Sequence, residues 1–110
     1  MAYSEELAER VRAVIGARDG VLERKMFGGV VWMLDGNMAC GTMGDGLLVR
    51  LHPDDVERAL DEPGVGPMVL SGRRPMRGFV TVRAAAVEEP AALTRWIDRG
   101  AAYAASLPAK

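Results

Sequence analysis

An Asp35-Gly36 pair between two apolar segments is the feature that most constrains the fold. The run before the pair, residues 30–34, is β-branched and aromatic, and residues 37–43 follow the pair. Asp-Gly between runs of this kind is the strongest local signal for a tight β-hairpin. A second turn signal, Gly44-Asp45-Gly46, precedes a third apolar run at residues 47–51. The centre of the chain is therefore predicted to be a three-stranded antiparallel meander.

Amphipathic helices are predicted on both sides of this β region. Ser4 is placed to cap a first helix whose apolar positions recur at helical spacing until Gly16. A short helix is expected from Pro53 and a long one from Pro90, since proline favours the first turn of a helix. Two further strands, at 68–70 and 79–82, lie around a turn at 71–78. The order predicts one α+β domain over residues 1–110, a two-layer α/β sandwich with a largely antiparallel sheet.

Composition excludes several classes of protein. Fourteen Lys and Arg residues against fifteen Asp and Glu residues give a net charge of −1, without the basic excess of a dedicated nucleic-acid binder. Five residues is the length of the longest apolar runs, at 30–34 and 101–105, too short to span a membrane. The acidic N-terminus does not resemble a signal peptide, and a single Cys forms no internal disulfide. We expect a cytoplasmic protein.

The residues that could carry catalysis are too few and too far apart. Cys40 lies in the middle of a predicted strand, and the one His, His52, follows the end of the next strand. A buried free Cys usually behaves as a small hydrophobe, and one His makes a His-based metal cage improbable. The Gly28-Gly29 pair could present backbone amides to an anion, but a bulge or close crossing of strands is favoured. We expect no enzyme activity, no cofactor and no metal.

The predicted strand register divides the meander into two faces. A two-residue turn pairs Leu34 with Asn37, and pairing Met43 with Leu47 across the next turn completes the register. One face then carries Val30, Trp32, Leu34, Ala39, Gly41, Met43, Leu47, Val49 and Leu51, and helices are expected to cover it. The opposite face carries Val31, Met33, Met38, Cys40, Thr42, Leu48 and Arg50.

That opposite face is too apolar to meet water in a two-layer fold. We therefore expect it to be buried by a second copy, as in a homodimer, or by a protein partner. The candidate contact residues are Val31, Met33, Met38 and Leu48. Methionine is abundant in this chain and serves both irregular cores and adaptable binding surfaces. Core packing is the default for this set, and Met33 and Met38 are the members expected at an interface.

A basic segment gives a second candidate site. No acidic residue lies between Glu62 and Glu88, whereas Arg73, Arg74 and Arg77 cluster in the predicted turn. One hypothesis is a nucleic-acid-associated regulator that contacts phosphates through these arginines. The favoured interpretation is a solvated turn or a contact with an acidic protein, because the aromatic side chains that stack on bases are absent.

Three blocks of the sequence resemble the signature of the TfoX N-terminal domain family. They are Arg24-Lys25-Met26-Phe27-Gly28-Gly29, Gly36-Asn37-Met38-Ala39-Cys40-Gly41 and Pro75-Met76-Arg77-Gly78-Phe79-Val80. The first and last helices are also similar, so the resemblance covers nearly the whole chain. It implies an α-β(3)-α-β(2)-α fold of the secretion-chaperone-like type.

The resemblance also carries an expectation about function. In the TfoX (Sxy) competence regulators of bacteria, this domain precedes a second, helical domain, and the whole acts in switching on genes for DNA uptake. The present sequence ends at Lys110, so a single-domain relative is expected. The family supplies no catalytic residues to place on this chain. We therefore expect a small, non-enzymatic regulatory or protein-interaction domain.

Overall fold

The computed structural model describes residues 3–26, 28–69 and 75–109. Helices α1 (Glu5–Ile15), α2 (Pro53–Leu60) and α3 (Pro90–Ser106) are present at the three predicted places, with a short 3-10 helix at Ala84–Val87. Ser4 caps α1 by accepting a hydrogen bond from the Leu7 amide at 3.1 Å. The strands are β1 (Val21–Met26), β2 (Gly29–Leu34), β3 (Asn37–Met43), β4 (Gly46–Arg50), β5 (Val65–Val69) and β6 (Pro75–Val82).

The strands form one antiparallel sheet in the order β1-β2-β3-β4-β6-β5. All three helices contribute to a single core on one side of this sheet. Trp32 of β2 and Trp96 of α3 are the largest fully buried side chains there. Gly100 lets α3 approach the sheet, because a Cβ atom at this position would lie 2.3 Å from the Ala39 carbonyl oxygen. The predicted α+β class with helices on one side of an antiparallel sheet is confirmed.

The other side of the sheet carries a second apolar cluster, here called the methionine face. Its fully or nearly buried members are Val31, Met38, Leu48 and Met68. Half-buried side chains pack around them: Met26, Met33, Met43, Met76 and Phe79. Six of the seven methionines of the chain therefore lie in one cluster, on the side of the sheet away from the helices.

The predicted register is correct only at the start of the hairpin. Leu34 pairs with Asn37 and Met33 with Met38, but Trp32 then pairs with Cys40, so Ala39 is an extra residue in β3. The next turn pairs Met43 with Gly46, one residue earlier than predicted. As a result Cys40 packs in the core under the helices, and Thr42 lies beside it opposite Leu47. Met43 belongs to the methionine face, contrary to its predicted placement.

Two further predictions about the strands are wrong. The sheet has a sixth strand, β1, in a segment whose four central side chains are exposed and include Glu23, Arg24 and Lys25. The segment has charged side chains and no apolar–polar alternation, so the sequence pattern did not indicate an edge strand there. β6 begins at Pro75, so Arg77 lies in a strand and not in a turn. No helix in the described part of the chain has the length and apolar character needed to cross a membrane.

Candidate functional site

Three adjacent strands bring the four predicted interface residues together on the methionine face. Val31 and Met33 belong to β2, Met38 to β3 and Leu48 to β4. Val31 lies opposite Gly41, which in turn lies opposite Leu48, so the glycine leaves room for the two side chains to approach. The edge strands extend the same cluster, with Met26 from β1 and Met68 from β5. The methionine face thus crosses the full width of the sheet.

Accessibility within the isolated chain divides these residues into two groups. Val31 and Leu48 have no accessible surface, and Met38 is 8% exposed. Val31 and Leu48 are thus packed within this cluster in the isolated chain, and their contact with a partner stays a prediction. Met33 is half-buried and accessible. The same is true of Met26, Met43 and Met76.

Leu22 adds an exposed apolar side chain beside this group. It lies opposite Met33 in the β1–β2 pair and is 53% exposed, the most exposed large hydrophobic side chain in the described residues. Cross-strand partners share one face of a sheet, so Leu22 borders the methionine face. The sequence analysis missed Leu22 because it did not recognise β1 as a strand.

The chemistry of this surface suits adaptable contact. Methionine is unbranched, has three side-chain torsions and carries a polarizable thioether. Half-buried methionines can therefore repack against partners of different shape. The inaccessible Val31 and Leu48 are the buried part of the same cluster. The described members of the face are all Val, Leu, Met or Phe.

Cys40 and His52, the two residues considered for catalysis, lie in different surroundings, one in the core and one at the start of α2. Cys40 is completely buried, and burial raises the pKa of its thiol to about 12. Such a thiol is protonated at neutral pH and is a poor nucleophile. His52 caps α2, with its Nδ1 accepting a hydrogen bond from the Asp54 amide at 3.1 Å. Among the described residues, no three His, Cys, Asp or Glu side chains are grouped to hold a metal ion.

Of the three candidate arginines, the structure describes Arg77. Arg73 and Arg74 lie outside the described residues. Arg77 is exposed on β6 and lines a cleft of about 330 Å³ that residues of α2, β5 and β6 form. Val56, Leu60 and Phe79 give this cleft apolar walls. Arg77 thus borders an apolar cleft, and its predicted cluster with Arg73 and Arg74 stays a prediction.

The surface of α2 and α3 holds an arginine cluster that the sequence analysis missed. Glu62 accepts hydrogen bonds from Arg95 at 3.2 Å and Arg99 at 2.9 Å. Burial raises the pKa of Glu62, but these two guanidinium groups outweigh that effect and hold it below its usual range. The guanidinium carbons of Arg99 and Arg95 also lie 4.2 and 5.3 Å from the centre of the Trp96 ring. Two guanidinium groups of α3 thus share one carboxylate, and Glu62 joins the end of α2 to α3.

Comparison with known proteins gives one match. The family model described as the TfoX N-terminal domain matches residues 14–104, most of the chain. No curated protein and no solved structure matches the chain significantly.

Proposed function

The chain belongs to the TfoX N-terminal domain family, and on that premise we propose that it is a non-enzymatic regulatory domain that binds another protein through its methionine face. The regulators that give the family its name supply the regulatory part of this proposal. The binding part rests on one observation, the gathering of six methionines on the side of the sheet away from the helices. We place this activity in the cytoplasm.

Two properties of the methionine face support binding over simple core packing. Four of its methionines are half-buried, and Leu22 beside them is 53% exposed, so apolar contact atoms are available to a partner. The rest of the described surface offers only one other exposed large hydrophobic side chain, Val69 at 44%. A concentration of accessible apolar atoms marks a site of protein contact more often than scattered single residues do.

The test is capture of partners from a lysate of the source cells, using tagged protein and its variants with and without nuclease treatment. Met33→Glu places a charge on the methionine face, and Met33→Gln makes the same position polar without a charge. Ala102→Glu is the matched control, because Ala102 is exposed on α3 on the opposite side of the molecule. Circular dichroism of each variant establishes that the protein is folded.

We expect a partner that wild type and Ala102→Glu retain, and that Met33→Glu loses with the protomer still folded. A partner retained by every variant, or no partner under any condition, would overturn the proposal. If Met33→Glu unfolds the protein, Met33 is a core residue, and the folded Met33→Gln variant then decides the outcome. Capture that disappears with nuclease would instead indicate binding to nucleic acid.

A further inference from the structure

The outer side of β1 is an open sheet edge, because β1 pairs only with β2. Two observations show which residues of β1 direct their backbone N–H and C=O groups toward β2 and which direct them outward. Met26 and Gly29 form the last pair of the β1–β2 hairpin, and the Asp35 amide donates to the Gly20 carbonyl at 2.9 Å. Gly20 and Asp35 continue the register of β1 and β2, and their contact marks them as a hydrogen-bonded pair. Hydrogen-bonded pairs alternate along antiparallel strands, so the even-numbered residues of β1 bond to β2. Glu23 and Lys25 therefore direct their backbone N–H and C=O groups away from the sheet.

The side chains on this edge are open to a partner as well. Leu22, Glu23, Arg24 and Lys25 are all exposed. Leu22 and Arg24 lie on the side of the methionine face, opposite Met33 and Val31. Glu23 lies on the helix side, where Arg12 donates to it at 2.7 Å. Lys25 shares that side, two residues further along the strand.

We propose that the β1 edges of two copies of this chain pair antiparallel about a two-fold axis centred on Arg24. Few positions of the two-fold axis allow the outward backbone groups of Glu23 and Lys25 to form hydrogen bonds with the second copy. A centre at Glu23 sets Glu23 against itself, and a centre at Lys25 sets Lys25 against itself. A centre at Arg24 sets Glu23 opposite Lys25 of the second copy, twice, with backbone hydrogen bonds between them.

The side chains of this register agree with the two faces of the sheet. Leu22 comes opposite Met26 of the second copy, so the exposed leucine gains an apolar neighbour on the side of the methionine face. Opposite charges on cross-strand neighbours stabilise a sheet pair, whereas like charges destabilise it. The two Arg24 side chains meet across the axis and oppose pairing. Edge strands are often charged, which prevents association. In the register centred on Arg24, however, Glu23 and Lys25 carry opposite charges and face each other.

The pairing joins two six-stranded sheets into one of twelve strands. An axis perpendicular to the sheet keeps both helix layers on one side and both methionine faces on the other. The two faces then form one continuous surface. This inference rests on the β1 edge and stands whether or not the methionine face binds a further protein.

A cysteine cross-link tests the pairing and its register. Arg24→Cys would place two thiols at a non-hydrogen-bonded pair, whose Cα atoms lie about 4.5 Å apart, within the range that a disulfide spans. Lys25→Cys and Ala102→Cys are matched controls, with exposed thiols that the proposed register keeps apart. The native Cys40 is completely buried and does not compete. Each variant is incubated with oxidised glutathione, and covalent dimer is measured on a non-reducing gel.

We expect Arg24→Cys to form covalent dimer at least about tenfold faster than either control, because pairing raises the local concentration of its thiols. Equal rates for the three variants would overturn the proposal. Faster linking of Lys25→Cys would overturn the register and favour a centre at Lys25.

Charge variants give a second readout, sedimentation as a function of protein concentration. Lys25→Glu turns both attractive pairs into repulsive ones and is expected to weaken dimerisation about tenfold. Arg24→Ser removes the one repulsive pair and is expected to strengthen it. Monomer at all concentrations for both wild type and Arg24→Ser would contradict the pairing, as would a shift of both variants in the same direction.

Discussion

Trp96→Ala is expected to lower the free energy of unfolding by about 3–5 kcal/mol, the range for removing a buried tryptophan. Trp96 is 2% exposed and lies between α3 and the sheet in the helix-side core. Truncation leaves a cavity that neighbouring backbone cannot fill. It also removes the ring against which the guanidinium groups of Arg95 and Arg99 stack. A loss of this size is a large fraction of the stability of a domain.

Urea denaturation of the variants measures this effect. Arg95→Ala is the control, because Arg95 is exposed and its contact with the ring is worth about 0.5–1 kcal/mol at such a site. We expect Trp96→Ala to shift the denaturation midpoint several times further than Arg95→Ala. Similar shifts for the two variants would show that Trp96 does not hold α3 on the sheet.

Gly29→Ala is expected to cost about 3 kcal/mol, the upper end of the range for overpacking a core. A Cβ atom on Gly29 would lie 1.9 Å from the Thr42 carbonyl oxygen, which belongs to the backbone of β3 and cannot rotate away. The Val30 amide beside it already uses the Thr42 side chain, donating to Oγ1 at 3.2 Å. The extra methyl group must therefore push β2 and β3 apart.

Gly66→Ala is the matched control for this prediction. Gly66 also lies in a strand, but a Cβ atom there would meet only the Thr81 hydroxyl oxygen, at 3.5 Å. We expect the thermal midpoint of Gly66→Ala to stay close to that of wild type, while that of Gly29→Ala falls. Equal midpoints for the two variants would mean that the strands adjust freely, and the close crossing would not be a constraint.

Local signals in the sequence were sufficient for most of the fold. Ser4, Pro53 and Pro90 marked three helix starts, and Asp35-Gly36 marked the central hairpin. The Gly28-Gly29 pair predicts a bulge or a close crossing of strands, and Gly29 lies at a close crossing with Thr42. These features depend on a few neighbouring residues, so a linear pattern is enough to reveal them.

The faces of the meander could not be predicted in full, because they depend on strand register. The extra residue Ala39 in β3 moves Cys40 and Met43 to the faces opposite those predicted, and the two-residue turn before Gly46 returns β4 to its predicted face. A one-residue slip moves every following side chain to the other face. The four candidate interface residues kept their shared side because Val31, Met33 and Met38 precede the bulge in the sequence, and the shorter turn before Gly46 offsets the bulge for Leu48.

The sequence also could not predict which residues of the methionine face are accessible. An apolar face was predicted to need a partner to cover Val31 and Leu48. In the structure both are inaccessible within the isolated chain, and they share a cluster with methionines from strands distant in sequence, such as Met26 and Met76. The number of methionines is visible in the sequence, but their convergence on one face depends on the order of the strands in the sheet.

Methyl NMR provides the most direct test of protein binding through the methionine face. The protein is labelled at methionine and alanine methyl groups, and spectra are recorded in buffer and in nuclease-treated lysate of the source cells. We predict that the signals of Met26, Met33 and Met43 shift or lose intensity in lysate, because a partner contacts these side chains. The exposed alanines on α3, Ala91, Ala102 and Ala105, should keep their signals. Changes at the alanines with unchanged methionine signals, or no change at either set, would contradict the account.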